Sequence, residues 1–389
     1  MSFFVLLKRC ICIVLTMIMI LATSFFSISA LEGSGDNSFD LDCKSAILME
    51  ANTGTVLYEF NPDLALPPAS VTKIMTLLLV REEIEKGNLN YSDIITTSAY
   101  AASMGGSQVY LKEGEQMTVE DMIKSVVISS ANDAAVALAE HICGSEELFV
   151  MKMNERAREL GMENTSFENT NGLDDTVINH VTSARDIAIM SRELIKYKDI
   201  LKYSSTWMDS IRNGEFGLTN TNRLVRFYQG ATGLKTGSTA KAKFCISATA
   251  ERQGMHLICV VMGAPSSDVR NSIATKLLNW GFANYEIYND PTEDLSPIKV
   301  SSGTENKCHI STSGFSIVVK KGDAARIEKT INLPKTITAP IMYGDEIGFV
   351  EYKLNNNIIG KSCVLSSQNV EKLNFYSLFI RILSKFLIK

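Results

Sequence analysis

The most constraining stretch of this 389-residue chain is Pro67-Pro68-Ala69-Ser70-Val71-Thr72-Lys73-Ile74-Met75. Proline rings fix φ and strain the helical region for the residue before them, so the approach is held extended. Apolar Ile74, Leu77, Leu78 and Val80 then recur at helical spacing, and the charged run Glu82, Glu83, Glu85, Lys86 stops at Gly87, a natural C′ residue. A helix opening at Ser70 puts Lys73 one turn later on the same face. The positive end of the helix dipole favours negative charge developing on a serine oxygen, and an amine one turn away is placed to take its proton. That is the arrangement of a Ser–Lys nucleophile pair. A serine at a helix start is also an ordinary cap, and Ser-x-x-Lys recurs at Ser238/Lys241 and Ser296/Lys299. The rest of the chain decides between these readings.

Before this stretch, Ser45-Ala-Ile-Leu-Met-Glu50, the turn Asn52-Thr53-Gly54 and Thr55–Phe60 read as an antiparallel hairpin. Residues 90–215 read as largely helical. Thr118, with Asp121 three residues on, has a capping-box shape ahead of Met122-Ile123 and Val126-Val127-Ile128. That helix ends in Ser129-Ser130-Ala131-Asn132-Asp133 and a new one starts at Ala134, so Ser130 and Asn132 fall at a junction where polar side chains either cap or project into a cleft. Further helices are expected at 147–160, stopped by Gly161, and at 183–196. Gly233-Leu-Lys235-Thr236-Gly237-Ser238-Thr239 is followed by apolar strands at 244–250 and 256–262, a second meander with Lys235 and Thr236 on its first strand. Gly237 removes a side chain where something approaches the backbone closely, or simply punctuates a turn. A helix from Ser267 to Phe282 closes this domain. Residues 291–370 then alternate short Val/Ile-rich segments with turn signals at Lys321-Gly322-Asp323, Tyr343-Gly344-Asp345 and Asn355-Asn356-Asn357, which predicts a small β-domain.

The ends are of another kind. Lys8 and Arg9 precede an apolar run from Cys10 to Ile28 and small residues through Ala30, a signal-peptide layout; the competing reading is a retained anchor, and both imply export. At the other end, Asn374, Ser377, Arg381 and Lys385 recur at a spacing of three to four in an otherwise apolar stretch with four bases and no acids. It reads as an amphipathic helix lying in a membrane surface, since Arg381 would sit mid-bilayer in a spanning one; a helix docked on protein is the alternative. A formal charge of −5 argues against nucleic acid as a partner. The six cysteines beyond the leader (Cys43, Cys143, Cys245, Cys259, Cys308 and Cys363) have no metal-ligand spacing, and Cys245 and Cys259 lie in apolar strands as expected buried thiols. No metal or cofactor is called for. His141, His180, His256 and His309 fit no triad and read as structural or surface residues.

Ser70-x-x-Lys73, Ser130-x-Asn132 and Lys235-Thr236-Gly237 together make the set shared by penicillin-binding proteins and class A β-lactamases. With Ala102-Ser103-Met104-Gly105-Gly106-Ser107-Gln108, Ser130-Ala131-Asn132-Asp133-Ala134 and Asn171-Gly172-Leu173, the chain resembles the D-alanyl-D-alanine carboxypeptidase family of low-molecular-weight penicillin-binding proteins along nearly its full length. The resemblance implies an α+β fold: a β-lactamase/transpeptidase-like domain, with a five-stranded antiparallel sheet flanked by helices, then a small all-β domain and a C-terminal amphipathic helix. The implied layout is signal peptide 1–30, linker 31–42, catalytic domain 43–285, β-sandwich-like domain 286–370 and anchor helix 371–389. It implies Ser70 as the nucleophile forming an acyl-enzyme, Lys73 as its base and Ser130 as the proton relay to the leaving nitrogen. Asn132 would hold the substrate amide, and Lys235 and Thr236, helped by Arg270, would bind the terminal carboxylate. Gly237 precedes Ser238, whose backbone N–H would complete an oxyanion hole with that of Ser70. Lys73 must be neutral to act, and burial beside Lys235 would depress its pKa. The implied partners are D-Ala-D-Ala stem peptides of peptidoglycan, β-lactams and the outer face of the cytoplasmic membrane. The rival functions are a β-lactamase, which needs a carboxylate-activated water from a residue such as Glu159, Glu163 or Glu168, and a catalytically silent wall-binding protein that keeps the fold.

Overall fold

The computed structural model describes residues 39–174, 177–375 and 379. The expected signal segment and residues 376–378 and 380–389 of the expected C-terminal helix lie outside the described residues. Among the described residues no helix is long and apolar enough to cross a membrane.

The amino-terminal hairpin forms as expected, with β1 at Ser45–Glu50 and β2 at Val56–Phe60. All six β1 residues are buried, as a continuous apolar run in a sheet interior requires. β1 pairs on its other side with the late strand β5 (Met255–Ala264), which continues through β4 (Lys243–Arg252) to β3 (Ala231–Thr239). The five-stranded antiparallel sheet therefore runs β2-β1-β5-β4-β3, and β3 is an edge. Period-two alternation divides the sheet between two faces. Leu48 and Leu257 sit under Gly281 of the helix Ser267–Asn284, while Ile47, Met49, Ile258 and Val260 join the main core with Ile74 and Ile187 from helices Lys73–Glu85 and Ala184–Leu194. We label these helices α1 (Lys73–Glu85), α2 (Val119–Ile128), α3 (Asn132–Cys143), α4 (Glu146–Glu159), α5 (Ala184–Leu194) and α6 (Ser267–Asn284).

Capping chemistry sets the starts of these helices. Thr118 Oγ1 accepts the Asp121 N–H at the head of α2, Ser145 does the same for Leu148 ahead of α4, and Ser183 for Asp186 ahead of α5. α3 is the central helix: Asn132 through Ala139 are all buried, and small alanines let its neighbours approach. Gly144 closes it in the left-handed conformation.

From Tyr285 to Ser366 the chain is all β apart from one short turn. A six-stranded sheet of Glu328–Asn332, Glu346–Leu354, Asn357–Ser366, Lys307–Thr312, Asp294–Ser301 and Thr336–Thr338, in that order, packs on the pair Tyr285–Asp290 and Phe315–Lys320. Tyr352, fully buried in the large sheet, stacks on Phe315 at 4.1 Å and meets Tyr288 edge-on. Cys245, Cys259 and Cys308 are buried thiols, and Cys43, Cys143 and Cys363 are also free.

Candidate active site

Ser70 does not open an α-helix, contrary to the expectation. Ala69–Thr72 form a single 3₁₀ turn, and α1 starts at Lys73. Ser70 makes no capping bond, so the cap reading of this serine fails. The departure comes from the residue before it: Ala69 has φ of +50°, a left-handed conformation that breaks helical geometry and is strained for a side chain with Cβ. The tighter turn still brings Lys73 Nζ to 3.0 Å from Ser70 Oγ.

Lys73 is fully buried and has two further contacts, Asn132 Oδ1 at 2.6 Å and the carbonyl of Asn171 at 2.8 Å. Both are acceptor-only oxygens, so both must receive N–H bonds. A neutral amine has two hydrogens and one lone pair. In the neutral form, two hydrogens go to these carbonyls and the lone pair faces the Ser70 hydroxyl; an ammonium would donate to all three oxygens. Electrostatics favour the neutral form. Burial pulls the Lys73 amine well below its ordinary value, the charge of Lys235 pulls it further, and Asp133 opposes them.

Ser130 lies in the break between α2 and α3 with φ of +63°, and its Oγ accepts from Lys235 Nζ at 2.8 Å. Lys235, on β3, is buried, and its other contact is the carbonyl of Thr236 at 3.0 Å. Burial, with the nearby charge of Arg270, pushes Lys235 down to about 7. Arg270, in the first turn of α6, is itself buried, donates to Asn271 Oδ1 and the Cys245 carbonyl, and is held down to about 10 by burial. Thr236 Oγ1 bonds Thr221 Oγ1 at 2.7 Å. The reason for glycine at 237 is explicit: a Cβ there would lie 2.8 Å from both Pro68 O and Ser70 N. The edge strand passes against the Ser70 turn, and Ser238, exposed, follows immediately.

The structure thus forms two hydrogen-bonded sets, Ser70–Lys73–Asn132 and Ser130–Lys235, coupled through the charge of Lys235 on Lys73, and adds Arg270 through its field on Lys235. Asn132 has partners that the expectation did not include. Its carboxamide is already engaged at both ends, with Lys73 through Oδ1 and the Gly105 carbonyl through Nδ2 at 2.7 Å. It orients the amine first; one Nδ2 hydrogen is not used by this pairing and suits a substrate carbonyl.

Several residues outside the three motifs build the site. Asp133 accepts N–H bonds from Val109, Leu111 and Ala134, tying the 107–111 loop to α3. Gly172 abuts the Ser70 turn so closely that a Cβ would fall 1.9 Å from Ala69 O. Asn220 and Asn222 fix Thr221 beneath β3, bonding the carbonyls of Ser204 and Thr206 and of Gly233 respectively. Asn171-Gly172 entered the sequence reading only as part of the family resemblance, and Asn220 and Asn222 did not enter it, because nothing local says which element such residues face.

Comparison with known proteins gives this arrangement its class. A family model described as D-alanyl-D-alanine carboxypeptidase matches residues 32–266, and one described as penicillin-binding protein 5, C-terminal domain, matches 285–372. D-alanyl-D-alanine carboxypeptidase DacF of Bacillus subtilis is 42% identical over 382 residues, covering 96% of this chain and 98% of its own. DacC of Escherichia coli is 32% identical over 351 residues, covering 86% of each. The crystal structure of penicillin binding protein 5 from Haemophilus influenzae superposes with a TM-score of 0.75 at 31% identity, over 87% of this chain and 100% of that one. Penicillin-binding protein D2 of Listeria monocytogenes, in its ampicillin-bound form, superposes with a TM-score of 0.58 at 31% identity, over 63% of this chain and 99% of that one. The fold is that of the penicillin-binding proteins. Within them, the chain belongs to the D-alanyl-D-alanine carboxypeptidase family.

Proposed function

We propose that this protein removes the terminal D-alanine from peptidoglycan stem peptides through an acyl-enzyme on Ser70, and that β-lactams acylate the same serine. The observation that carries this reading is the placement of Lys73: a buried amine 3.0 Å from Ser70 Oγ, anchored by two carbonyl oxygens and with its pKa pulled down by burial and by Lys235. Neutral Lys73 takes the Ser70 proton as Oγ attacks the penultimate D-Ala carbonyl. The backbone N–H groups of Ser70 and Ser238 hold the oxyanion. Ser130, polarised by Lys235, delivers the proton to the departing D-Ala nitrogen. Lys235, Thr236 and Arg270 receive the terminal carboxylate, whose charge raises the Lys235 pKa again as it binds. Water then hydrolyses the ester.

The geometry favours this over a β-lactamase. Glu159 pairs with Arg156, Glu168 accepts the Ile178 and Asn179 N–H groups and Glu163 is exposed, and none of the three makes a hydrogen bond to Ser70 or Lys73 among the described residues. The silent-scaffold reading leaves the buried, charge-depressed lysines without a purpose. Time-resolved intact mass with benzylpenicillin tests the proposal, alongside D-Ala release from a D-Ala-D-Ala peptide. A slowly clearing adduct lost in Ser70→Ala, with D-Ala released, is expected. An adduct that clears within mixing would mean a β-lactamase, and no adduct would remove Ser70 as nucleophile.

We also propose export, with the protein held at the outer face of the cytoplasmic membrane by the basic, apolar stretch 371–389. Co-sedimentation with anionic vesicles should be lost on deleting 373–389 while peptide hydrolysis in solution persists; retained sedimentation would exclude the tail as the anchor.

A further inference from the structure

The buried imidazole of His180 is placed against the back of the Ser70 turn, and its hydrogen bonds run in one direction only. Its Nδ1 lies 2.9 Å from the backbone nitrogen of Glu168. A backbone N–H only donates, so Nδ1 must be the unprotonated nitrogen. Nε2 therefore carries the hydrogen and gives it to Thr72 Oγ1 at 2.8 Å. The Thr72 hydroxyl has one hydrogen, which goes to the carbonyl of Ala69 at 2.8 Å. The chain from Glu168 N–H through His180 and Thr72 thus ends on the residue before the nucleophile, the one held at φ of +50°. Gly172 closes the same turn, since a Cβ there would meet both Ala69 O and Thr72 Oγ1.

We infer that His180 is a positioning residue for acylation: acting through Thr72, it fixes the Ala69 carbonyl in the strained turn and so sets the direction of the Ser70 hydroxyl and N–H. A strained conformation persists only where its surroundings over-determine it, and here a donor relay on one side and a glycine on the other do so. The ring stays neutral at physiological pH. Burial pushes it down to about 4, with the Lys73 charge in the same direction, against the opposing pull of Glu168 and Asp174. The ring also packs against Phe167 at 5.7 Å. The inference rests on Ser70 being the acylated serine.

The test measures acylation by benzylpenicillin, by intact mass, in the full chain and in His180→Gln, His180→Asn, Thr72→Val and the Thr72→Val/His180→Asn double variant. Glutamine presents a donor where Nε2 stands, whereas asparagine keeps only the Nδ1 position. The expected result is a loss of roughly 10- to 100-fold in acylation rate for His180→Asn and Thr72→Val. His180→Gln should recover most of the rate, and the double variant should be no worse than either single one. Wild-type rates in His180→Asn, equal losses in the Gln and Asn variants, or additive losses in the double variant would each overturn the relay. If His180→Asn does not fold, Thr72→Val and the ¹⁵N spectrum of the wild-type ring decide: an Nε2-protonated tautomer is required, and an Nδ1-protonated one refutes it. Failure of the wild-type chain to acylate at Ser70 would instead overturn the proposed function.

Discussion

Gly237→Ala tests how closely the edge strand must approach Ser70, the proposed nucleophile. The added Cβ would stand 2.8 Å from Pro68 O, 2.8 Å from Ser70 N and 3.0 Å from Val71 N, where ordinary contact begins at 3.4 Å. All three neighbours are backbone atoms, so no side chain can swing aside. β3 and the Ser70 turn must part by about 0.6 Å. That displacement opens the gap between the Ser70 and Ser238 N–H groups, the proposed oxyanion donors. Complete loss of one such donor costs about 10²- to 10³-fold, so a partial misplacement should slow acylation roughly 10- to 100-fold. Overpacking should also cost about 1–3 kcal/mol of stability. Gly281→Ala on α6 is the control. Its Cβ would press Leu257 Cδ1 at 2.7 Å and Leu48 Cδ2 at 2.9 Å, flexible methyl ends on the opposite face of the sheet. It should disturb packing and leave acylation untouched. Stopped-flow acylation with a fluorescent penicillin, paired with urea midpoints, separates the two effects. A Gly237→Ala protein that acylates at the wild-type rate would refute the claim that strand–turn spacing sets the oxyanion geometry.

Other outcomes follow from the same geometry. Hydrolysis of a carboxylate-terminated peptide should decline as pH rises through about 7, where free Lys235 loses its charge, and Lys235→Arg should move that limb upward; an unmoved limb would assign it elsewhere. Lys73 and Lys235 both have folded pKa values below their unfolded ones, so the unfolded chain binds more protons above about 7 and stability should rise with pH from there toward the ordinary lysine range. Urea midpoints at mildly and strongly alkaline pH check this, and Lys235→Met should flatten the rise. Asn132→Asp places a carboxylate 2.6 Å from the Lys73 amine and should hold it protonated, so acylation falls at neutral pH and partly recovers in alkali; a pH-independent loss would contradict that. Asp133→Ala strands the buried N–H groups of Val109, Leu111 and Ala134, and should lower stability by about 3 kcal/mol in denaturant titration.

Much of this was legible in the sequence because the periodicities are strong. The fully buried run at Ser45–Glu50, the capped start at Thr118 and the paired apolar strands after Lys235 each carry a local signal, and the structure follows them closely. Motif spacing also picked out Ser70 and Lys73, whose side chains the structure places 3.0 Å apart. What local reading missed was set by contacts far along the chain. The turn at Ser70 is 3₁₀ rather than α because residues about one hundred positions away, Gly172 and His180, press on it. His180 gave no signal because a lone histidine in a polar loop has no period, and its role exists only once Thr72 is beside it. Asn132 pointed toward substrate by analogy of motif, whereas its carboxamide meets Lys73 through packing that spacing does not encode.

The two buried basic side chains at the proposed carboxylate site have a thermodynamic consequence. Burial holds both down, the Arg270 charge lowers Lys235 further, and their hydrogen bonds run only to neutral oxygens. The empty protein is therefore electrostatically frustrated at its most important address, and an anion that settles there relieves the frustration as it binds. Such a ligand at one hundred times its dissociation constant stabilises the fold by about 2.7 kcal/mol. Lys235→Met, by the same logic, should melt higher than the wild type while losing its grip on carboxylates. The protein's melting temperature thus doubles as a gauge of occupancy, readable without turnover and without knowing which stem peptide it prefers.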